Sequence, residues 1–377
     1  MIKLAVPKER HENEFRVSIT PDCVSSLKKI GFEVFIEEGA GNGASFSDKD
    51  YKNAGAKISK HIKDLYQNAK LIVKIQRPFK SSKINEFNLL EKNSCFLGTI
   101  YSSRFKQDFT NLKKENINTF AMELMPRISR AQSMDVLSSQ SNLSGYKAVV
   151  DSASLYNKAF PLMMTSAGTI APAKLLVIGA GVAGLQAIAT AKRLGSVVFC
   201  FDVRSATQEQ VESLGGNFIK VGGEDSGESA SGYAKEMSAA YKKKQAVLLE
   251  ENIKKMDIVI TTALIPGKKA PLIITKKMVK SMKSGSVIMD LASEFGGNCE
   301  LTEHGKTIEF ESKKIIGPFN LPSSVSQDAS RLYSKNILNF LKNSCKEGKF
   351  LDFNWEDELV KGTCVNKVKK EDKNGNS

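Results

Sequence analysis

Apolar residues in the first 140 positions fall into short runs that alternate with segments of helical spacing. Such runs are typical of strands buried on both faces, and their alternation with helices indicates a parallel sheet. Thr20 and Pro21 form a helix start, with Thr20 at the N-cap, and Gly31 ends that helix. The predicted strands lie at 2–6, 32–36, 71–75, 95–100 and 118–123.

A second series begins near Ser138, with predicted strands at 175–178, 197–201, 258–261, 286–290 and 314–316. From about residue 321 the pattern is helical again, around 329–341, and we expect this segment to pack back on the first domain. The sequence therefore predicts an α/β protein of two Rossmann-like domains with parallel sheets and a cleft between them. The first domain comprises 1–137 plus 321–377, and the second comprises 138–320.

The composition is that of a soluble globular protein, with 41% hydrophobic and 25% charged residues in a chain of 377. The net charge is +14, but the lysines are scattered along helix faces without a basic block. We interpret them as a solvated surface and expect no nucleic-acid partner, while weak attraction to an anionic membrane surface stays open. The tail 365–377 is polar, and we expect it to fray.

Six cysteines and three histidines show no spacing typical of a zinc site or a disulfide framework. We therefore expect no metal and a reducing compartment. The N-terminus lacks a long apolar segment, so we expect no signal peptide, and the longest weakly polar run, 175–191, is short for a membrane span. These features favour a cytoplasmic protein.

A glycine-rich turn follows the predicted strand 175–178 and contains Gly179, Gly181 and Gly184. In the dinucleotide fingerprint, the first glycine permits a tight turn, the second admits the pyrophosphate and the third lets the helix pack closely on the sheet. The helix that follows directs its N-terminal N–H groups and positive dipole end towards the phosphates. The alternative is a glycine-rich contact between helix and strand that binds nothing.

An acidic residue, Asp202, ends the next strand, 18 positions after Gly184. Its carboxylate can accept both hydroxyls of an adenosine ribose and would repel a 2′-phosphate, so we expect NAD rather than NADP. Arg204 leaves the opposite preference open, because an arginine near this strand end could bind a 2′-phosphate. Val182 and Val203, beside these residues, are included in the predicted cofactor site.

Three long stretches resemble the NAD(H)-binding component of proton-translocating transhydrogenases. They are 127–149, which begins Arg-Ile-Ser-Arg-Ala-Gln-Ser-Met-Asp, 172–195, which contains the glycine turn, and 261–271, Thr-Thr-Ala-Leu-Ile-Pro-Gly-Lys-Lys-Ala-Pro. The start, 6–10 and 16–21, is similar to the wider alanine dehydrogenase/transhydrogenase family. The resemblance extends from residue 1 to about residue 365.

The resemblance implies a role for each matching residue. Arg127, Gln132 and Asp135 would orient the nicotinamide for hydride transfer, and Arg127 and Ser138 would contact the bound nucleotide. Leu264 would line the site, and Gly232 and Tyr233 would form the tip of a loop that closes over it. From the residues alone, Asp135 could equally be a helix cap or a surface carboxylate, and Tyr233 an ordinary loop aromatic.

The resemblance also implies an activity of the Re/Si-specific type. Hydride would pass from NADH here to NADP⁺ on a partner subunit, coupled to proton translocation through a membrane-spanning subunit. The chain would be a homodimer, peripheral on the cytoplasmic face of the inner membrane.

The main alternative is a free alanine dehydrogenase, whose substrate-binding arginine and lysine match Arg16 and Lys74. That enzyme carries a catalytic histidine near 95–101, where this sequence has none, and a second aspartate where this sequence has Glu294. A general acid–base at neutral pH is usually histidine. We therefore expect Arg16 and Lys74 to be structural. An independent oxidoreductase with its own substrate and a non-catalytic regulatory module also stay open.

Overall fold

The computed structural model describes residues 1–114, 116–221, 238–265, 268–345 and 352–367. The chain divides into two compact units, one formed by 1–140 with 323–377 and the other by 141–322.

The first unit is built on a seven-stranded sheet. From edge to edge its strands are Lys57–Ser59, Phe32–Glu37, Ile2–Val6, Leu71–Gln76, Cys95–Thr99, Asn118–Ala121 and Cys364–Asn366. The last strand is antiparallel to its neighbour, and the others are parallel. In chain order the parallel strands lie 3-2-1-4-5-6, which is the order of a doubly wound Rossmann fold.

Helices cover both faces of this sheet because side chains alternate along each strand. Leu4 and Val6 belong to one apolar core, which includes Tyr333 and Ile337 of the C-terminal helix, while Ala5 belongs to the core on the other face. The helices are Pro21–Lys29, Asp48–Asn53, Ile62–Tyr66, Lys106–Lys114, Val136–Leu155, which continues into the second unit, Ser326–Ser344 and Glu358–Thr363. Short 3₁₀ turns lie at Asn42–Ala44, Glu86–Leu89, Met122–Leu124, Ser129–Met134 and Leu321–Val325.

Two details of the first unit differ from the sequence predictions. Thr20 occupies the N-cap of Pro21–Lys29, but its hydroxyl has no hydrogen-bond partner among the described residues, because the Cys23 N–H donates to the Thr20 carbonyl instead. The strand predicted at 118–123 ends at Ala121, and a 3₁₀ turn follows. There the Glu123 carboxylate accepts the N–H groups of Ile100 and Tyr101, which ends the neighbouring strand at Thr99.

The second unit repeats the same parallel order on a second seven-stranded sheet. From edge to edge its strands are Asn217–Phe218, Val197–Phe201, Lys174–Ile178, Ile258–Thr261, Val287–Asp290, Lys313–Ile316 and the antiparallel Thr307–Phe310. Both predicted sheets are therefore present, and the α/β Rossmann-like fold is confirmed. A separate hairpin pairs Met163–Thr165 with Gly168–Ile170.

Apolar cores lie on both faces of the second sheet as well. Its helices are Val182–Arg193, Gln208–Ser213, Ala239–Ile253 and Lys276–Ser281, with 3₁₀ turns at Ser205–Thr207 and Ser293–Phe295. Leu175 and Val177 face one core, and Leu176 and Ile178 face the other, which explains the unbroken apolar run in the sequence. No helix in the described segments of the chain is both long and apolar enough to cross a membrane.

Candidate nucleotide-binding site

The glycine turn lies between the strand Lys174–Ile178 and the helix Val182–Arg193. Gly179 has φ +103°, and a Cβ there would lie 2.6 Å from the Thr262 hydroxyl oxygen. A Cβ on Gly184 would collide with the carbonyl oxygen of Gly179. A Cβ on Gly181 would instead point into space where no described atom beyond its chain neighbours lies within 4 Å. Two of these glycines therefore serve packing, and Gly181 leaves room for a ligand.

The helix after this turn begins at Val182, whose side chain is 42% exposed. Its first-turn N–H groups are the ones that a helix cannot satisfy internally, and they carry the positive end of the helix dipole. Twelve residues make a helix long enough for that dipole to develop, so the turn can attract an anion such as a pyrophosphate.

Asp202 lies directly beyond the strand Val197–Phe201 and closes the glycine turn from the other side. Its Oδ2 accepts the N–H of Ala180 at 2.6 Å. Arg204 lies on the same carboxylate, with its Nε 2.9 Å from Oδ1 and its Nη2 2.8 Å from Oδ2. Val203, between them, packs partly buried against the core under the sheet. The structure thus brings Asp202, Arg204 and the glycine turn together, as predicted.

A loop after the strand Ile258–Thr261 carries Leu264, which is 37% exposed. Thr262 ties this loop to the glycine turn, because its hydroxyl donates to the carbonyl of Gly179 at 2.8 Å. Asn298 holds the loop from below: its side chain accepts the Ala263 N–H at 3.0 Å and donates to the Ala263 and Pro271 carbonyls.

Sequence reasoning missed Asn298, which is fully buried. Its partners are about 30 residues away along the chain, so no local pattern marks it. Buried Asp290, at the end of the next strand, in turn accepts the N–H groups of Asn298 and Cys299.

The predicted nicotinamide loop belongs to the first unit and forms the 3₁₀ turn Ser129–Met134. Arg127 and Gln132 are exposed, so both side chains can reach a ligand. Asp135 accepts the N–H and the hydroxyl of Ser138, at 3.0 and 2.6 Å, and so caps the helix Val136–Leu155. The capping alternative for Asp135 is therefore realised, and Ser138 is its partner.

Long-range contacts fix this loop, and the sequence pattern gave no sign of them. Asn336 and Asn339 of the C-terminal helix both donate to the carbonyl of Ser133, at 2.8 and 3.1 Å. Arg130 forms a two-pronged ion pair with Asp357, with both distances 2.8 Å. Ala131 and Met134 are buried beneath the turn. The exposed residues of the loop are therefore held on a rigid support.

Arg16 and Lys74 lie in a buried ionic cluster of the first unit, formed by Glu9, Arg10, Glu14, Arg16, Glu37, Lys74 and Glu86. Glu14 grips the Arg16 guanidinium at 2.6 and 2.7 Å, and Arg16 also donates to Gln140. The Lys74 ammonium is 2.8 Å from Glu86. Both cations have internal carboxylate partners, as a structural role requires.

Two predicted site residues, Gly232 and Tyr233, lie outside the described residues. All six cysteines are free. Within the described ranges, no group of three or more histidine, cysteine, aspartate or glutamate side chains could hold a metal ion.

Comparison with known families gives two matches that together span most of the chain. Residues 5–144 match the family model for alanine dehydrogenase/PNT, N-terminal domain, and residues 148–370 match the one for alanine dehydrogenase/PNT, C-terminal domain.

Individual relatives give the same result. The first portion of NAD(P) transhydrogenase subunit alpha in Rhodospirillum rubrum, which is a separate chain there, is 52% identical over 371 residues, which cover 97% of this chain and 96% of that protein. The crystal structure of transhydrogenase from Sinorhizobium meliloti has a TM-score of 0.87 at 44% identity, covering 98% of this chain and 99% of that one. A structure of L-alanine dehydrogenase has a TM-score of 0.79 at 25% identity, covering 97% and 96%. Both measures are higher for the transhydrogenase.

Proposed function

This chain belongs to the alanine dehydrogenase/PNT family, and on that premise we propose that it is the NAD(H)-binding subunit of a proton-translocating transhydrogenase. It presents NADH to NADP⁺ held on a partner subunit, and a membrane-spanning subunit couples the exchange to proton translocation. The observation that carries the proposal is the glycine turn with Asp202 beside it, in a chain 52% identical to a transhydrogenase alpha subunit.

The residues of the turn fit a dinucleotide. Gly181 leaves space for a pyrophosphate, the helix start supplies N–H donors, and Asp202 supplies the acceptor that ribose hydroxyls need. Bound NADH would supply the hydride, and the protein would supply orientation and exclusion of water. Arg127, Gln132 and Asp135 are the orienting residues, and they present one face of the nicotinamide. No acid or base is needed for hydride transfer, so no histidine is required.

Alanine dehydrogenase activity is the second candidate, and the ionic cluster argues against it. A carboxylate substrate would have to displace Glu14 from Arg16 or Glu86 from Lys74, both of them buried pairs. Breaking a buried pair costs several kcal/mol, about 3–5 when one partner is removed. The segment 95–101 also lacks a histidine for proton transfer.

The proposed assembly is a homodimer that docks on the cytoplasmic face of the inner membrane through its partner subunits. The purified chain should bind NADH but transfer hydride to an NADP⁺ analogue only after the NADP(H)-binding partner is added. Light scattering on the same sample gives the mass, expected to be twice the 41.3 kDa of one chain.

Oxidation of NADH by the isolated chain with pyruvate and ammonium would overturn the proposal in favour of the dehydrogenase. Nucleotide binding with no transfer in the reconstituted complex would instead support a regulatory module.

A further inference from the structure

The carboxylate of Asp202 is fully engaged by groups of its own chain. Oδ2 accepts from the Ala180 N–H and the Arg204 Nη2, and Oδ1 accepts from the Arg204 N–H and Nε, at 2.6 to 2.9 Å. A carboxylate offers about four acceptor positions. The Arg204 side chain therefore occupies the acceptors that ribose hydroxyls would use.

The pair is well shielded from water. The Asp202 side chain is 4% exposed and that of Arg204 is 16% exposed. The backbone at Arg204 is fixed independently, because the Thr207 hydroxyl and N–H both donate to its carbonyl oxygen. A released guanidinium would therefore remain beside the strand end and move only through its side-chain torsions.

We infer that Asp202 sets the nucleotide preference in two linked ways, by repelling a 2′-phosphate and by holding Arg204 so that it cannot bind one. The inference rests on the proposed function, since it assumes a nucleotide at this turn. Without the carboxylate, Arg204 is a planar fork of N–H donors at the ribose position, which is the geometry that phosphate groups accept in two-pronged fashion. Arg204 is thus a latent 2′-phosphate-binding residue, suppressed by its neighbour.

The test compares Asp202→Asn, Arg204→Gln and the double variant with the wild type, using calorimetric titration with NADH and NADPH. Asn keeps the shape of Asp202 and removes the charge. In Asp202→Asn we expect NADPH to bind roughly ten- to a hundredfold more tightly than in the wild type, and NADH more weakly, because charged hydrogen bonds are exchanged. Adding Arg204→Gln to that variant should abolish the gain for NADPH.

A matched control adds Arg193→Gln to Asp202→Asn. Arg193 is exposed at the far end of the same helix, so this change removes a positive charge without touching the ribose position. The control should keep the NADPH gain. Equal NADPH affinity of Asp202→Asn and its Arg204→Gln derivative would overturn the inference.

Arg204→Gln alone provides a measurement that does not depend on Asp202 variants folding. If Asp202 already sequesters Arg204, this variant should bind NADPH as weakly as the wild type. A marked loss of NADPH affinity would show that Arg204 is already a phosphate ligand and would overturn the inference. Failure of the folded wild type to bind NADH contradicts the proposed function instead, so the two failures are distinguishable.

Discussion

At the scale of single residues, the three glycines of the turn have separable duties. Gly184 is required by packing, because any side chain there meets the Gly179 carbonyl. Gly181 has an ordinary φ of −79° and open space at its Cβ position, so packing does not require it. If a pyrophosphate lies against Gly181, a methyl group there will obstruct the ligand and leave the fold intact.

We therefore predict opposite effects for two alanine substitutions. Gly184→Ala should lower the free energy of unfolding by about 2 kcal/mol or more, because it overpacks a helix–strand contact. Gly181→Ala should change stability by less than about 1 kcal/mol but weaken NADH binding about tenfold or more, roughly 1.4 kcal/mol. Thermal unfolding and NADH titration of both variants measure this. Wild-type NADH affinity in Gly181→Ala would contradict the assigned duty.

At the scale of elements, the C-terminal helix Ser326–Ser344 supports the loop that contains Gln132 and Asp135. Asn336 is the main link, since its side chain donates to the Ser133 carbonyl and accepts the Ser139 hydroxyl at 2.8 Å. The loop itself is a single 3₁₀ turn, too short to hold its shape without such contacts. Precise presentation of a nicotinamide would therefore depend on this helix.

Asn336→Ala should slow hydride transfer in the reconstituted complex much more than it weakens NADH binding. Misplacement of a reacting group by about 1 Å can cost roughly a hundredfold in rate, whereas binding rests mainly on the second unit. Single-turnover kinetics and NADH titration separate the two quantities. Asn343→Ala, an exposed change on the same helix, is the control. Equal rates in the two variants would remove the positioning role.

The interior strands were predictable because burial on both faces leaves a continuous apolar run, as in 175–178. Short edge strands such as Lys57–Ser59, Asn217–Phe218 and Thr307–Phe310 leave no such run and were missed. The glycine turn and Asp202 are local features, so sequence alone located them. Asn298 and Asn336 act across long stretches of chain, and the engagement of Arg204 with Asp202 depends on side-chain geometry. Only the fold reveals these.

At the scale of the whole molecule, the buried ionic cluster makes stability depend on pH. It contains four carboxylates and three cations, so one carboxylate lacks a matching charge. That group is Glu9: burial raises its pKa from 4.5 to about 7, although Lys74 opposes the shift. Between these values the folded protein binds more protons than the unfolded chain. The free energy of unfolding therefore falls as pH rises from about 4.5 to 7 and levels off above.

Glu9→Gln replaces the carboxyl with a neutral group of the same shape and should remove this dependence. Relative to wild type, the variant should gain on the order of 2–3 kcal/mol between pH 5 and pH 8. Urea unfolding at several pH values measures the difference, with exposed Glu12→Gln as the matched control. Parallel stability curves for the wild type and Glu9→Gln would show that Glu9 titrates normally.

The repeated strand order has a consequence for the flow of electrons. After the strand Ile2–Val6 the first unit continues with Pro7 and Lys8 and has no glycine before Gly31, so it lacks the turn that follows Lys174–Ile178. Glu9 and Arg10, immediately beyond, belong to the ionic cluster. The scaffold is thus duplicated while the phosphate cradle is single. A chain built in this way would carry one two-electron equivalent at a time and would form half of a redox couple, whose other half must be another polypeptide.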